Sequence, residues 1–208
     1  MKVVFTIFLV LHIIGGTFSL LSGLGAVISK KGSLWHRRFG KVFFYAMLLT
    51  TLSALVMAAL KTGLFLFTIA VFSFYQTYMG YRAIKNKSML ANRYDKIIWG
   101  VALINAVVMI TTLHPVLMVF GGIGIANTIR QLMHQRKLDG RPAPKGDWLQ
   151  LHIGMMMGAF IATITAFVVV NAPDNLGTAL STLLWLAPTI VLVPLLVYWS
   201  IKYKKKGT

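Results

Sequence analysis

The chain has 208 residues, 57% of them hydrophobic, and a formal net charge of +17. Its mean hydropathy is +0.75, more apolar surface than a soluble domain of this size can bury, so a polytopic membrane protein is the class that fits. Cysteine is absent, which excludes a disulfide framework and thiolate chemistry. The positive charge lies in short segments between apolar runs, the distribution expected of a membrane protein and not of a nucleic-acid binder.

Seven apolar segments are long enough to cross, since a span needs about 20 residues. They read as 4–28, 39–60, 63–84, 97–113, 115–133, 148–171 and 177–201, one integral domain over 1–208. The expected fold is an all-α polytopic helix bundle of seven transmembrane helices. The first segment, beginning "MKVVFTIFLVLHIIGG", lacks a small-x-small cleavage site and is expected to be a retained span. It carries His12, and Gly15, Ser19 and Gly23 four residues apart, a ridge of small side chains suited to close helix packing.

The first loop and the start of the second span read "SKKGSLWHRRFGKVFFY". Gly32 turns the chain, Trp35 anchors at the interface, and His36, Arg37 and Arg38 lead into the span. Arg37 and Arg38 are candidate ligands for an acidic or phosphate group, with His36 beside them; the plainer reading is an anchor on anionic lipid. The third span holds Gln76. The fourth holds Asn105, a candidate hydrogen-bond partner for His12. The fourth and fifth are separated only by His114-Pro115, and proline starts a helix well but cannot continue one, so the pair reads as a tight hairpin. Small pairs recur at Gly122 and Ala126 in the fifth span and at Gly154, Gly158, Ala162 and Ala166 in the sixth. The stretch "HQRKLDGRPAPKGDW" is a polar loop. The seventh span contains Pro188 and Pro194, expected to bend it.

All but Lys2 and Lys61 of the 21 Lys and Arg residues fall after spans one, three, five and seven. The positive-inside rule then puts the N-terminus outside and the C-terminus in the cytoplasm. Trp35, Trp99, Trp148 and Trp199 are expected at the cytoplasmic interface and Trp185 at the outer one. The four acidic residues, Asp95, Asp139, Asp147 and Asp174, read as loop or helix-end positions, Asp147 as a cap for the sixth span. No span is then expected to carry a carboxylate, which argues against a carboxylate proton relay and against hydrolase chemistry.

Histidine remains as the deep ionisable type, and such residues are functional candidates. At ~1.5 Å per residue, His12 lies about 12 Å below the outer edge and His152 about 5 Å inside the opposite edge. The two therefore differ in depth by roughly 10–15 Å and do not form one site. The expected partners are His114 for His12, and His36 or His134 for His152. One site per leaflet would be the arrangement of transmembrane haem b carriers. His152 also has Met155 and Met156 on its helix face, a set suited to a soft ion such as Cu(I).

The pattern K-G-x-x-x-H-R-x-x-G across residues 31–40, with "WLQLHIGMMMGAFIATITAF" from Trp148, resembles a group of small bacterial multi-spanning membrane proteins of unknown function. That resemblance implies a histidine-bearing bundle in the bacterial cytoplasmic membrane and marks Gly32, His36, Arg37, Gly40, His152 and Met156. It supplies no reaction. The leading functional expectation is a histidine-dependent redox protein holding haem b or acting on quinone, with His12, His114, His36 and His152 as cofactor-binding residues and Arg37, Arg38 and Asn105 as ligand-binding residues. The alternatives are a small-molecule carrier lined by Gln76, Asn105 and Asn127, or a non-catalytic subunit docking a partner on its basic face. The expected surroundings are a bilayer with anionic lipid on that face, and no nucleic acid.

Overall fold

The computed structural model describes residues 2–61, 63–173 and 175–204. They form seven α-helices: α1 Lys2–Ile28, α2 Leu34–Leu60, α3 Leu64–Lys85, α4 Arg93–Thr111, α5 Pro115–Leu138, α6 Asp147–Val170 and α7 Thr178–Lys204. Asp174, Lys205 and Lys206 lie outside the described residues. Local chemistry sets the boundaries. Ser33 accepts the His36 backbone N–H and caps α2. Asn92 and Asp95 form a reciprocal capping box on α4. Pro115 opens α5, where its missing N–H costs nothing.

Six of the helices are long and apolar enough to cross a membrane; α3 falls short by composition. Its polar residues Thr68, Ser73, Gln76 and Thr77 are all buried, because α3 is the central helix. It packs against α2, α4, α5 and α6. In contrast, α1 exposes Ile7, Val10, Ile14, Phe18 and Leu21, and of α7 only Pro188 is buried. This inverted pattern, polar within and apolar without, is what a hydrocarbon surrounding selects.

Four helices close a ring. α1 packs on α2, α2 on α3, α3 on α6 and α6 on α1, while α2 and α6 stand diagonally with no Cα approach within 8 Å. Side chains fill the diagonal: Phe43 and Met47 from α2 meet Ala159 and Phe160 from α6. The α4–α5 hairpin sits on the far side of α3, and α7 lies against α6 and the edge of α5.

The small-residue ridge of the first span is a packing seam. A Cβ on Gly15 would lie 3.0 Å from the Thr50 backbone nitrogen, and one on Gly23 would lie 2.4 Å from the Phe160 ring. The expected seam of the fifth span is not one. Gly122 and Ala126 face outward, and Gly121 and Gly124 meet Ala106 of α4 instead. In α6 only Gly158 of the expected row is pressed, against Gln76, while Gly154 faces open space and Ala166 is exposed. Trp99 is also no interface anchor: it is buried and donates to Gln131 at 3.0 Å. Asp95 is at a helix end as expected, but it does not face water. α4 begins four residues before the expected span, so Asp95 lies in its first turn, 2% exposed, inside the protein.

Candidate functional site

Loop Ser29–Ser33 turns through Gly32 at φ +78° and delivers His36 to the first turn of α2. Its Nδ1 is 2.9 Å from the Ala26 carbonyl. A carbonyl only accepts, so Nδ1 carries the proton and Nε2 is left with its lone pair. Ala26 belongs to the last turn of α1, whose carbonyls lack intrahelical partners. Lys31 serves the same helix end: its Nζ donates to Ala26 at 3.2 Å and also to Val27. That ammonium also lies 3.9 Å from the centre of the Trp199 ring on α7. Burial lowers the Lys31 pKa below that of an ordinary lysine.

His152 is arranged in the same way from the opposite corner of the ring. Its Nδ1 donates to the Gly80 carbonyl of α3 at 2.9 Å, which again leaves Nε2 as the free nitrogen. Gly80 makes the approach possible, since a Cβ there would lie 3.0 Å from the Met156 backbone nitrogen. The two imidazoles meet across the diagonal with ring centroids 6.4 Å apart and planes at 89°. The next level into the bundle is aromatic, with Phe43 and Phe160 edge to face at 6.1 Å.

Both anchors fix the same tautomer, so neither Nε2 has a proton to offer the other. The pair can bind a species that takes two lone pairs or donates two hydrogen bonds. Two imidazoles on one metal, at ~2.0–2.1 Å per bond, place ring centroids roughly 5 Å apart at a tetrahedral angle and roughly 6.4 Å apart on opposite sides. The observed 6.4 Å lies at the wide end of that range, and side chains on facing helices of a bundle are where such sites are built.

The other expected residues go elsewhere. His12 donates from Nδ1 to Thr50 O at 2.9 Å, with Ser53 Oγ at 3.5 Å. Its partner is therefore not Asn105, which donates to Thr68 O at 3.0 Å on the other side of α3. His114 is exposed at the start of α5 with its ring against Phe65. Because α1 touches neither α4 nor α5, His12 and His114 are not brought together. His134 pairs with Asp147 at 2.9 Å rather than with His152, and Asp147 does not cap α6, whose N-cap is Gly146. Arg37 and Arg38 are exposed, and Arg38 lies over the Trp35 ring. Gln76 lies against Gly158 of α6 and Asn105 donates to Thr68 O, so these two face different neighbours.

A buried polar cluster at the same end of the bundle is not apparent from the residues taken singly. Arg82 grips Asp95 through Nε and Nη2, both at 3.0 Å. Beside it Trp99 donates to Gln131, and Gln131 donates to Tyr75 OH at 2.6 Å. A cavity of about 20 Å³ between them also reaches His134, whose Nδ1 is buried without a partner among the described residues. The signal for it is Asn92-Arg93-Tyr94-Asp95, which has the spacing of a capping box.

The profile of a family described as "Predicted membrane protein (DUF2306)" matches residues 9–134. No curated protein and no solved structure matches the chain.

Proposed function

The chain belongs to the DUF2306 family of predicted membrane proteins, and from that premise we propose that it is a histidine-dependent redox protein with a two-histidine cofactor site at His36 and His152. The observation that carries this is the pairing itself: two imidazoles from diagonal helices, 6.4 Å between centroids, each with Nδ1 fixed on a backbone carbonyl. Fixing the far nitrogen orients the ring and sharpens the ligand, as in metal-binding histidines generally. Haem b is the first candidate, and when bound it supplies one-electron exchange. His36 and His152 would be the residues that hold it. In the quinone form of the reading, the same Nε2 atoms accept hydrogen bonds from quinol hydroxyls.

The accompanying topology has seven crossings, the N-terminus outside and the basic end in the cytoplasm of a bacterial cell. Support comes from contacts that join basic segments at one end, such as Lys31 with Trp199 and Lys87 with Trp148. The burial of α3's polar residues against other helices also supports a full span for it.

The test is protein purified in mild detergent after expression with ample haem. A Soret band is expected, lost in both His36→Ala and His152→Ala and retained in His12→Ala and His114→Ala. Quinone extraction from the same preparation reads the other form. Wild-type protein with neither a Soret band, nor stoichiometric metal, nor quinone overturns the proposal.

A further inference from the structure

The cytoplasmic third of α5 presents a groove of about 360 Å³ lined by Ala126, Ile129, Arg130, Met133, His134 and Lys137. All six residues lie on α5, so the groove is an open strip along one helix face. The floor is apolar, and Ile129 and Met133 are exposed at 44% and 52%. Arg130 and Lys137 flank it on the same helical face, exposed and without an ion-pair partner among the described residues. The neighbouring carboxylate, Asp147, is engaged by His134.

Position makes these charges informative. α5 runs past the span edge expected at 133 to Leu138, so Arg130 lies roughly 5 Å inside that edge at ~1.5 Å per residue. On an outward face at that level the guanidinium is within reach of the headgroup phosphates. Acyl chains match the Ile129–Met133 surface, and a phosphate between Arg130 and Lys137 matches the charge and the donor geometry of arginine.

The geometry points to a specific site on α5 for an anionic phospholipid, its phosphate held by Arg130 and Lys137 and its chains laid along Ala126, Ile129 and Met133. It is independent of the histidine pair. It also differs from the general attraction of a basic surface to a negative leaflet, because it requires these two cations and this trough.

Native mass spectrometry of the full chain, titrated with phosphatidylglycerol or phosphatidylcholine, tests it. Arg130→Gln/Lys137→Gln is expected to weaken the tightest phosphatidylglycerol adduct by about tenfold or more. The charge-matched Arg93→Gln/Lys96→Gln pair on α4 is expected to leave it within about threefold. Ala126→Phe, which fills the groove and keeps every charge, is expected to displace the same adduct. Equal losses from the α5 and α4 pairs would reduce the effect to net charge and overturn the site. Equal binding of the two lipids, or no loss in either α5 variant, would overturn it as well.

Discussion

Gly15 and Gly16 are adjacent in α1, yet the structure gives them opposite fates. A methyl group on Gly15 would lie 2.6 Å from Thr50 Oγ1, 3.0 Å from Thr50 N and 3.1 Å from Ala46 O, whereas one on Gly16 meets nothing within 4 Å. The hydroxyl can rotate away, but the two backbone atoms cannot. Ordinary contacts need about 3.5–4.0 Å, so Gly15→Ala must push α1 off α2 by roughly half an ångström. Overpacking of this kind costs about 1–3 kcal/mol. The gain in helix propensity from glycine to alanine, about 1 kcal/mol in water, is common to both positions and cancels in the comparison. Gly15→Ala is therefore expected to be less stable than Gly16→Ala by about 1–3 kcal/mol. Thermal unfolding of the two variants in one detergent measures that difference. Equal stability, or a more stable Gly15→Ala, would refute the packing of α1 on α2 described above, and with it the placement of His12 against Thr50.

Three further outcomes follow from the interior. Asp95→Asn leaves Arg82 without its carboxylate; breaking a buried pair costs roughly 3–5 kcal/mol, and with the Arg82 side chain 22% exposed the lower end, about 3 kcal/mol, is expected in denaturation. Trp99→Phe leaves Gln131 Oε1 without a donor, a cost of about 1–3 kcal/mol, and shrinks a buried ring besides; both are read as a lower unfolding midpoint against Trp35→Phe at an exposed position. Gly80→Ala drives a methyl into the Met156 backbone, parts α3 from α6 and lengthens the His152 bond to Gly80 O. Its expected effect is weaker binding of whatever the histidine pair holds, with Gly154→Ala, which faces open space, as the matched neutral change.

Hydropathy carried the all-α class and the seven helices. The first span ends at Ile28 as expected and the fifth starts at Pro115, because proline and the abrupt polarity change at Ser29 are local signals. Boundaries drifted where a helix continues into polar sequence. α2 starts at Leu34 because Ser33 caps it, and α5 runs on to Leu138 through its basic turn. The grouping of His36 with His152 was accessible from the positive-inside count, since both flank basic segments. The division between His36 and His134 as partners was not, because it depends on α6 lying diagonal to α2 and on Asp147 holding His134. Helix faces were the weakest inference. Gly122 and Gly121 are equally small, and only the direction of α4 decides which of them packs. Asp95 illustrates the same limit: a carboxylate two residues before an apolar run reads as a loop or helix end, and its burial depends on the arrival of Arg82 from another helix.

The four helices of the ring do not come from one continuous stretch. α1, α2 and α3 emerge in succession, and His36 finds its carbonyl on α1 only 10 residues back. Gly80 must wait for an imidazole that lies 72 residues further along the chain. While the α4–α5 hairpin is being made, the α3 flank bearing Gly80 and Gln76 has no α6 to cover it. One histidine is set early and the other arrives as a closing stave, so biosynthetic arrest before α6 would yield a five-helix intermediate with a formed His36 anchor and one open seam in its ring.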